Sequence, residues 1–390
     1  MKTAKGIFFL WVLCGLGACT PRALLTAHPP ETTRQTETRQ LDVAPAEPKT
    51  ISMLAVGDNL YHASMIREGE EGDYASAYAE LRPLIEAADI AFVNQETLLA
   101  GKAFGFSGYP RFNSPQKLGQ ALAEVGFNVI NHATNHVLDK GEKALLATMD
   151  FWDTFPHITV LGIHRSPEAR SQPKLLKKNN ITVGFLSYTY GTNGFPLPAD
   201  KPHLVSLIDT EIMAREIEAL RPLCDFLVVS MHWGEEYVHE PSEEQKKLAT
   251  FLAAQQVDVL IGHHPHVIQP MEYIQRPDGK WMLCFYSLGN FISAQVRAPR
   301  MLGAMAYLKI EEGAGEERFV LLEAGAIPLV THYEKEFVGF KVYPLYAYTE
   351  ALADQHRMNQ QKKELTLDYL QSLASKVFGD KEIKHNPFAP

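Results

Sequence analysis

Carboxylate, amide and imidazole side chains recur directly after short apolar runs of this sequence. They are Asp58, Asn59 and His62; Asn94 and Glu96; Asn131, His132, Asn135, His136 and Asp139; His232 and Glu236; His263, His264 and His266; and Asn290. Their oxygen and nitrogen atoms are the ligands that hard to borderline divalent metals take, and no thiolate is among them. The pattern therefore indicates metal chemistry.

Each of these groups is a weak signal by itself. Gly57-Asp58 and Asn135-His136 are also typical of turns and caps. His264-Pro265-His266 is stronger, because the i, i+2 spacing on an extended segment directs both imidazoles to one side. Their joint occurrence predicts two-metal hydrolysis, in which a carboxylate between two cations about 3.5–4 Å apart helps activate water and the cations clamp a phosphate oxygen. An uncoordinated histidine then protonates the leaving oxygen.

The elements that must position these groups alternate between strands and helices. We predict strands at Ile51–Val56, Ile90–Val93, 129–130, Ile158–Leu161, Ile181–Ser187, Phe226–Ser230, Val257–Ile261 and Met282–Tyr286. We predict helices at Ala77–Ala88, from Ser114 (N-cap) and Pro115 to Gly126, at Glu142–Phe151 and Asp209–Leu220, and after a capping box of Ser242 and Gln245. Gly57 is expected to stop the first strand. This order predicts an α/β fold, whose ligand site lies beyond the carboxyl ends of the strands.

The pattern of alternating strands and helices changes after residue 300. Met305–Ile310, Arg318–Ala324 and Phe337–Val342 are typical of antiparallel strands, and Lys363–Phe378 of a final helix. We therefore divide the chain into residues 50–300, the main domain, and residues 301–390, strands and a helix expected to complete the same domain.

Composition and charge restrict the class of partner. The chain has 390 residues, is 46% hydrophobic and carries a net charge of −9. A phosphate-backbone binder normally shows a clustered basic face, so we expect no nucleic-acid partner. The nearest cluster, Lys174, Lys177 and Lys178, is interpreted as a solvated turn before a strand.

The first residues have the pattern of an export signal. Lys2 and Lys5 precede a short apolar run, and Leu16-Gly17-Ala18-Cys19 closely resembles the lipobox of bacterial lipoproteins. We predict a signal peptide at 1–18, a lipid on Cys19 (a palmitate-type anchor in the cell membrane) and a disordered tether at 19–49. The alternative is an ordinary secretory signal, and either version exports the protein. For Cys224 and Cys284, two buried thiols are favoured over a disulfide.

The ordered motifs resemble those of a known family. They are Gly57-Asp58; Asn94-x-Glu96; Asn131-His132-x-x-Asn135-His136-x-x-Asp139-x-Gly141; His232-Trp233-Gly234-x-Glu236-Tyr237; Gly262-x-His264-Pro265-His266-Val267-x-Gln269; and Ser287-Leu288-Gly289-Asn290-Phe291. In this order, over about residues 51–300, the chain resembles the CapA family of poly-γ-glutamate capsule synthesis proteins (PGA_cap), relatives of the calcineurin-like metallophosphoesterases. The resemblance implies an α/β/β/α sandwich, here with a C-terminal strand-rich extension, and a role in making or exporting poly-γ-glutamate at the cell surface.

The resemblance also implies roles for individual residues. Asp58, Glu96, Asn135, His232, His264 and His266 would hold two divalent cations (Mn, Zn or Fe), with Glu96 in the bridging place. His136 would be the acid or transition-state stabiliser, and Asp139 is assigned with it to catalysis. Asn94, Trp233, Glu236 and Gln269 would lie around the ligands or face the substrate. His62, Asn131 and Asn290 are placed in the same group.

Two departures from the wider superfamily concern the first metal position. The superfamily opens with Asp-x-His, whereas Asp58 is followed by Asn59 and Leu60, and His62 lies too far along the chain. The bridging aspartate is replaced by Glu96, which is longer by one methylene. Three hypotheses therefore stay open: a metal-dependent phosphoesterase; a non-catalytic metal- or polymer-binding component working with capsule synthase or export subunits; and a globular lipoprotein whose polar strand ends are only caps and turns.

Overall fold

The computed structural model describes residues 49–313, 319–360 and 363–389. The predicted signal peptide, Cys19 and all but the last residue of the predicted tether lie outside these ranges. Glu47–Pro390 forms one compact unit and contains every described element with its own hydrophobic core, so we expect this fragment to fold by itself. Within the described ranges, no helix has the length and apolar character needed to cross a membrane.

Fourteen strands are found among the described residues. They are β1 (Thr50–Leu60), β2 (Ile90–Gln95), β3 (Val129–Asn131), β4 (Thr159–Leu161), β5 (Lys174–Lys178), β6 (Ile181–Thr189), β7 (Phe226–His232), β8 (Val259–His263), β9 (Met271–Gln275), β10 (Trp281–Phe285), β11 (Asn290–Ser293), β12 (Leu302–Glu312), β13 (Phe319–Glu334) and β14 (Val338–Pro344). One sheet has the order β14-β13-β12-β1-β2-β3-β4, with β11 paired to β1. The other has the order β5-β6-β7-β8-β10-β9.

Nine α-helices connect these strands or follow them in the described part of the chain. They are α1 (Ala63–Glu71), α2 (Arg82–Ala87), α3 (Gln116–Val125), α4 (Glu142–Trp152), α5 (Pro167–Ser171), α6 (Thr210–Leu220), α7 (Glu243–Ala254), α8 (Glu350–Gln355) and α9 (Leu367–Phe378). The capping box at Ser242 and Gln245 forms as predicted and starts α7.

The main hydrophobic core lies between the two sheets. Phe92 of β2 belongs to the same buried cluster as Phe185 of β6 and Val228 of β7. Every second residue of β7, such as Val229, faces the opposite side of the sheet and packs with α6 and α7 in a separate cluster. Two sheets packed together, with helices outside, confirm the predicted α/β sandwich class.

The first strand continues past Gly57, so the expectation that this glycine stops it is wrong. A Cβ at Gly57 would lie 1.9 Å from the carbonyl oxygen of Gly289, so only glycine fits this close approach. The register shifts between Val56 and Asp58, and the strand then pairs in parallel with β11. The irregularity brings Asp58 to the junction of two strands.

The strands after residue 300 extend the first sheet. Residues 305–311 of β12 pair antiparallel with residues 50–56 of β1, and β13 and β14 follow antiparallel in turn. The last helix is shorter than predicted and begins at Leu367, because Thr366 caps it by accepting from the Tyr369 N–H.

Two predicted helix starts are wrong for steric and hydrogen-bonding reasons. The segment Ala77–Ala88 is split into a 3-10 turn, Tyr74–Tyr78, and α2, which has a proline in its first turn. Ser114 does not cap α3. Its hydroxyl lies 2.7 Å from the Thr97 hydroxyl, and Pro115 takes the extended N-cap position instead.

The basic segment at Lys174–Lys178 is also corrected. It is the edge strand β5, antiparallel to β6, and not a turn. Lysines on an edge strand discourage pairing with another chain. Cys224 and Cys284 are free thiols, as favoured, although only Cys284 is fully buried.

Candidate metal centre

The carboxyl ends of four parallel strands meet at one edge of the sandwich. Asp58 lies opposite Asn94 in the β1–β2 register, and His232 lies opposite His263 in the β7–β8 register. Glu96 follows directly after β2. Because parallel strands end together, the sequence places these side chains in one buried cluster.

Asp58 is held in place by polar groups on several sides. Its Oδ1 accepts from Asn94 Nδ2 at 2.8 Å, and its Oδ2 lies 3.0 Å from His266 Nδ1. The backbone N–H of His264 approaches Oδ2 at 3.2 Å. Burial raises the pKa of Asp58, but the hydrogen bond and charge of His266 outweigh it and leave the pKa below its ordinary value. Asp58 is therefore a preformed anion.

Glu96 is the least satisfied group in the cluster. It is buried, and neither of its oxygens has a hydrogen-bond partner. Its Oε1 lies 3.8 Å from His232 Nε2 and 3.8 Å from His266 Nε2. Burial raises its pKa well above the ordinary value. An unpaired buried carboxylate is costly, and a cation is the partner that removes this cost.

The histidines supply nitrogen ligands around this carboxylate. Burial lowers the pKa of His264 to about 4 and that of His232 well below its ordinary value, so both imidazoles are neutral and able to ligate. His264 Nδ1 is buried without a partner. For His266, burial acts to lower the pKa, but the carboxylates of Glu96 and Asp58 raise it to about 9.

These atoms form overlapping sets with metal-ligand spacing. In each set the ligand atoms lie within 4.8 Å of one another; the sets are Glu96, His232 and His264; Asp58, Glu96 and His266; and Glu236, His264 and His266. Glu96 belongs to the first two sets, which is the arrangement expected of a carboxylate between two cations. The donor set and its unpartnered oxygens fit divalent metals.

Asn135 joins the cluster through a side-chain contact. Its Oδ1 lies 2.9 Å from His232 Nε2, and its Nδ2 donates to Asn193 Oδ1 at 3.2 Å. All six predicted metal ligands are thus brought together.

The predicted catalytic pair forms a hydrogen-bonded dyad beside the cluster. His136 Nδ1 lies 2.7 Å from Asp139 Oδ2, which also accepts the Phe112 N–H at 2.6 Å. Asn193 Nδ2 lies 3.2 Å from the same His136 nitrogen. An acid–imidazole contact at Nδ1 fixes the ring orientation and leaves Nε2 as the nitrogen that can exchange a proton.

Asn193 is a functional candidate that the sequence prediction missed. It contacts both Asn135 and His136, and it has φ +50°, a conformation that asparagine tolerates. The signal was the Asn193-Gly194 turn after β6. Tyr190, on the same loop, was also missed; its ring lies 4.7 Å from that of His264 and it is half exposed.

Three of the surrounding asparagines support the ligands. Asn131 Nδ2 donates to Asn94 Oδ1 at 2.7 Å, and Asn94 in turn donates to Asp58. Asn290 Oδ1 lies 3.1 Å from His266 Nδ1. This chain of amides orients a carboxylate and an imidazole.

The remaining predicted residues occupy different surroundings. His62 Nδ1 contacts the Leu60 carbonyl at 3.1 Å and the Ala294 N–H at 3.3 Å, and burial lowers its pKa to about 4. Trp233 is in the core and donates to the Tyr286 carbonyl. Gln269 bonds Gln245 and the Val238 carbonyl, so it braces a loop. Glu236 is exposed and close to His264 and His266.

Comparisons with known proteins give the same picture at the level of the family. The profile described as "Bacterial capsule synthesis protein PGA_cap" matches residues 52–295. The chain is 30% identical over 178 residues to the "PGA biosynthesis protein CapA" of Bacillus subtilis, covering 45% of each chain. It is 30% identical over 182 residues to the "Capsule biosynthesis protein CapA" of Bacillus anthracis, covering 45% of this chain and 42% of that one. The matched region thus spans less than half the length of these relatives.

Among solved structures, the chain is similar to that of the "calcineurin-like phosphoesterase YfkN from Bacillus subtilis". It has 13% sequence identity and a TM-score of 0.45, with 83% of this chain and 99% of that one covered.

Proposed function

Since the chain belongs to the bacterial capsule synthesis protein family PGA_cap, we propose that it is an exported lipoprotein of capsule-polymer synthesis or export that hydrolyses a phosphate ester at a dinuclear metal centre. The observation that carries the proposal is Glu96, a buried carboxyl group with two unpartnered oxygens beside the neutral imidazoles of His232 and His264. Without a cation this arrangement costs stability, and with two cations it becomes a hydrolytic centre.

The residues divide into holding and proton-handling groups. Asp58, Glu96, Asn135, His232, His264 and His266 hold the cations, which are Mn, Zn or Fe by the chemistry of the donor set. Metals bound there would supply an activated water and a clamp for phosphate oxygen. His136 carries a proton to the leaving oxygen, while Asp139 and Asn193 fix its orientation.

The cellular setting completes the proposal. A lipid on Cys19 anchors the protein in the cell membrane, with the folded unit outside the cytoplasm. Poly-γ-glutamate as the polymer, and synthase or export subunits as partners, are supported by the names of the two Bacillus relatives. The net charge of −9 supports an absence of nucleic-acid partners.

A non-catalytic role is the second candidate, and one observation favours it. The position that would hold the histidine of an Asp-x-His motif is Leu60, a buried apolar residue. Its neighbour Asn59 is tied to Gln95 and Tyr78 by hydrogen bonds of 2.6 and 2.9 Å, so it is not free to replace the missing ligand. A centre lacking one ligand could bind metal, or polymer carboxylates through metal, without turnover.

Metal content and turnover in the same samples separate the two functions. The fragment 47–390, its His264→Ala variant and a His239→Ala control would be assayed for bound metal and for p-nitrophenyl phosphate hydrolysis with Mn, Zn and Fe. His239 is a suitable control because its Nδ1 is 2.8 Å from the Ile268 carbonyl and it belongs to none of the ligand sets.

We expect about two metal equivalents and metal-dependent turnover in the wild type and the control, with both lost in His264→Ala. Metal without turnover under any condition would favour the non-catalytic role. A folded wild-type sample that binds no metal would contradict both. Deletion of the gene should remove surface polymer, and unchanged capsule would exclude a role in its synthesis.

A further inference from the structure

A cavity opens at the lateral edge of the two sheets. Its volume is about 740 Å³, and it is bounded by strands β4 and β6 and by helices α5 and α6. None of the six candidate metal ligands lines it. The size is that of a pocket for a small organic molecule.

Most of the wall is apolar. Phe185 and Leu186 come from β6, Leu161 from β4, and Leu220 and Leu223 from the α6 end. Leu223 is 51% exposed, although leucine gains by burial, so it is a poorly covered apolar residue on this wall. These surfaces suit an alkyl chain.

One wall carries a guanidinium with an unused donor. Arg170 Nε donates to Glu216 Oε1 at 2.7 Å, whereas Arg170 Nη2 is buried and has no partner. The second oxygen of Glu216 already accepts the Tyr188 hydroxyl at 2.7 Å. The arginine is thus positioned by its ion pair, and its free edge lacks the acceptor that a buried cationic donor requires.

A second unpartnered donor lines the same cavity. Ser187 is buried, and its hydroxyl has no hydrogen-bond partner. Lys174 and Arg215 also line the cavity. The acidic residues in the lining are Asp200 and Glu216, and Glu216 is already paired with Arg170. The lining of the cavity therefore combines cationic and hydrogen-bond donor groups with apolar side chains.

We propose that this cavity binds an amphipathic oxyanion, a carboxylate or phosphate head on an alkyl chain, with Arg170 and Ser187 contacting the head. Guanidinium pairs with either head through two N–H groups, and the apolar walls take the chain. The site is separate from the metal centre and does not depend on the function proposed for it.

Calorimetric titration of the fragment 47–390 tests the site with defined probes. Dodecanoate, dodecyl phosphate and neutral dodecanol would each be titrated below the concentration at which they aggregate. Arg170→Gln removes the charged head-group contact and Ser187→Ala removes only an unpartnered hydroxyl, so the latter should fold unchanged. Arg165→Gln is the matched control, because Arg165 pairs with the exposed Asp150 and Asp153 and does not line the cavity.

We expect one anionic probe to bind per chain, with affinity at least about tenfold lower in Arg170→Gln, several-fold lower in Ser187→Ala and unchanged in Arg165→Gln. Preference for dodecanoate or for dodecyl phosphate would identify the head group. Equal binding of dodecanol would overturn anion recognition. No binding of any probe to the wild type, or equal binding to Arg170→Gln and Arg165→Gln, would overturn the site.

Discussion

Two groups of buried histidines in this chain have opposite surroundings. In the C-terminal group, His332 Nδ1 lies 2.7 Å from the Tyr348 hydroxyl, and His356 contacts the Met358 N–H and the Thr331 carbonyl. In the metal centre, His264 Nδ1 has no partner, and two buried carboxylates lie among the imidazoles. Burial is common to both groups, but unmet bonding capacity belongs only to the second.

The comparison shows what distinguishes a site from a core. Of the described residues, His332 and His356 belong to none of the carboxylate-containing sets with metal-ligand spacing. Their hydrogen bonds compensate their burial, so they contribute to stability in the absence of any ligand. The candidate metal centre instead holds a buried carboxyl group, Glu96, without hydrogen-bond partners, so it should lower the stability of the metal-free protein and raise that of the metal-bound protein.

The largest effect should come from Glu96→Gln. This isosteric change removes a carboxylate that the metal would take as a ligand, so metal affinity should fall on the order of 100-fold or more, since replacing residues that only support the ligands of a metal site already lowers metal affinity by about 10–100-fold. The metal-free protein should become more stable, by about 1–3 kcal/mol, because a buried acid that is ionised in the unfolded chain is replaced by a neutral amide. Metal titration and urea unfolding with and without chelator measure both. A metal-free variant less stable than the metal-free wild type would show that other groups of the protein already offset the cost of burying Glu96.

His356→Ala should have the opposite signature. It removes two hydrogen bonds and leaves a small cavity, so the free energy of unfolding should fall by about 2–3 kcal/mol. Metal content should not change. Loss of bound metal in a folded His356→Ala sample would break the distinction between the two groups.

The pH dependence of stability sharpens the comparison further. Burial lowers the pKa of His356 to about 3 from an ordinary 6.5, so the folded state binds fewer protons than the unfolded state. Its contribution is complete above pH 6.5 and is lost as the pH falls below that value, at about 1.4 kcal/mol per pH unit. In the presence of chelator, the free energy of unfolding of His356→Gln should therefore change less steeply with pH than that of the wild type. The difference in slope between pH 6 and 4.5 should be about this amount. Identical slopes would mean that His356 is not held neutral.

The smallest effect should come from Asn193→Gly. Glycine keeps the positive φ of this loop residue but loses its contacts with Asn135 and His136. Turnover should fall by about tenfold at unchanged metal content and KM, because the proton-carrying ring is less well oriented. Asn180→Gly, which also replaces a positive-φ asparagine but at the amino end of β6, is the control. Equal turnover of the two variants would remove Asn193 from the site.

Much of the site could be predicted from sequence because strand ends are visible in it. An apolar run followed by Asp58, Glu96 or His232 gives both the strand and the position of its polar end, and parallel pairing brings these ends together. Asn193 could not be found this way, since it enters from a loop whose path depends on tertiary packing. Trp233 and Gln269 belong to the family motifs, but motif membership does not separate core and bracing roles from substrate contact.

Errors in the fold prediction have local physical causes. Gly57 was expected to stop a strand, and the structure instead uses it for a close approach to Gly289, a contact that no local signal shows. Lys174–Lys178 lacked the apolar alternation of a strand because it lies at a sheet edge. The lateral cavity was not predicted at all, because Arg170 and Ser187 meet it from separate elements.

Anomalous diffraction from crystals of the fragment 47–390 grown with Mn²⁺ shows directly whether two cations bind on either side of Glu96. We expect two anomalous peaks, one on each side of the Glu96 carboxylate, with His232 and His264 at one and Asp58 and His266 at the other. We expect no anomalous peak at the C-terminal group of buried histidines, His332 and His356. Absence of metal beside Glu96, or metal bound at His332 and His356 instead, would contradict this expectation.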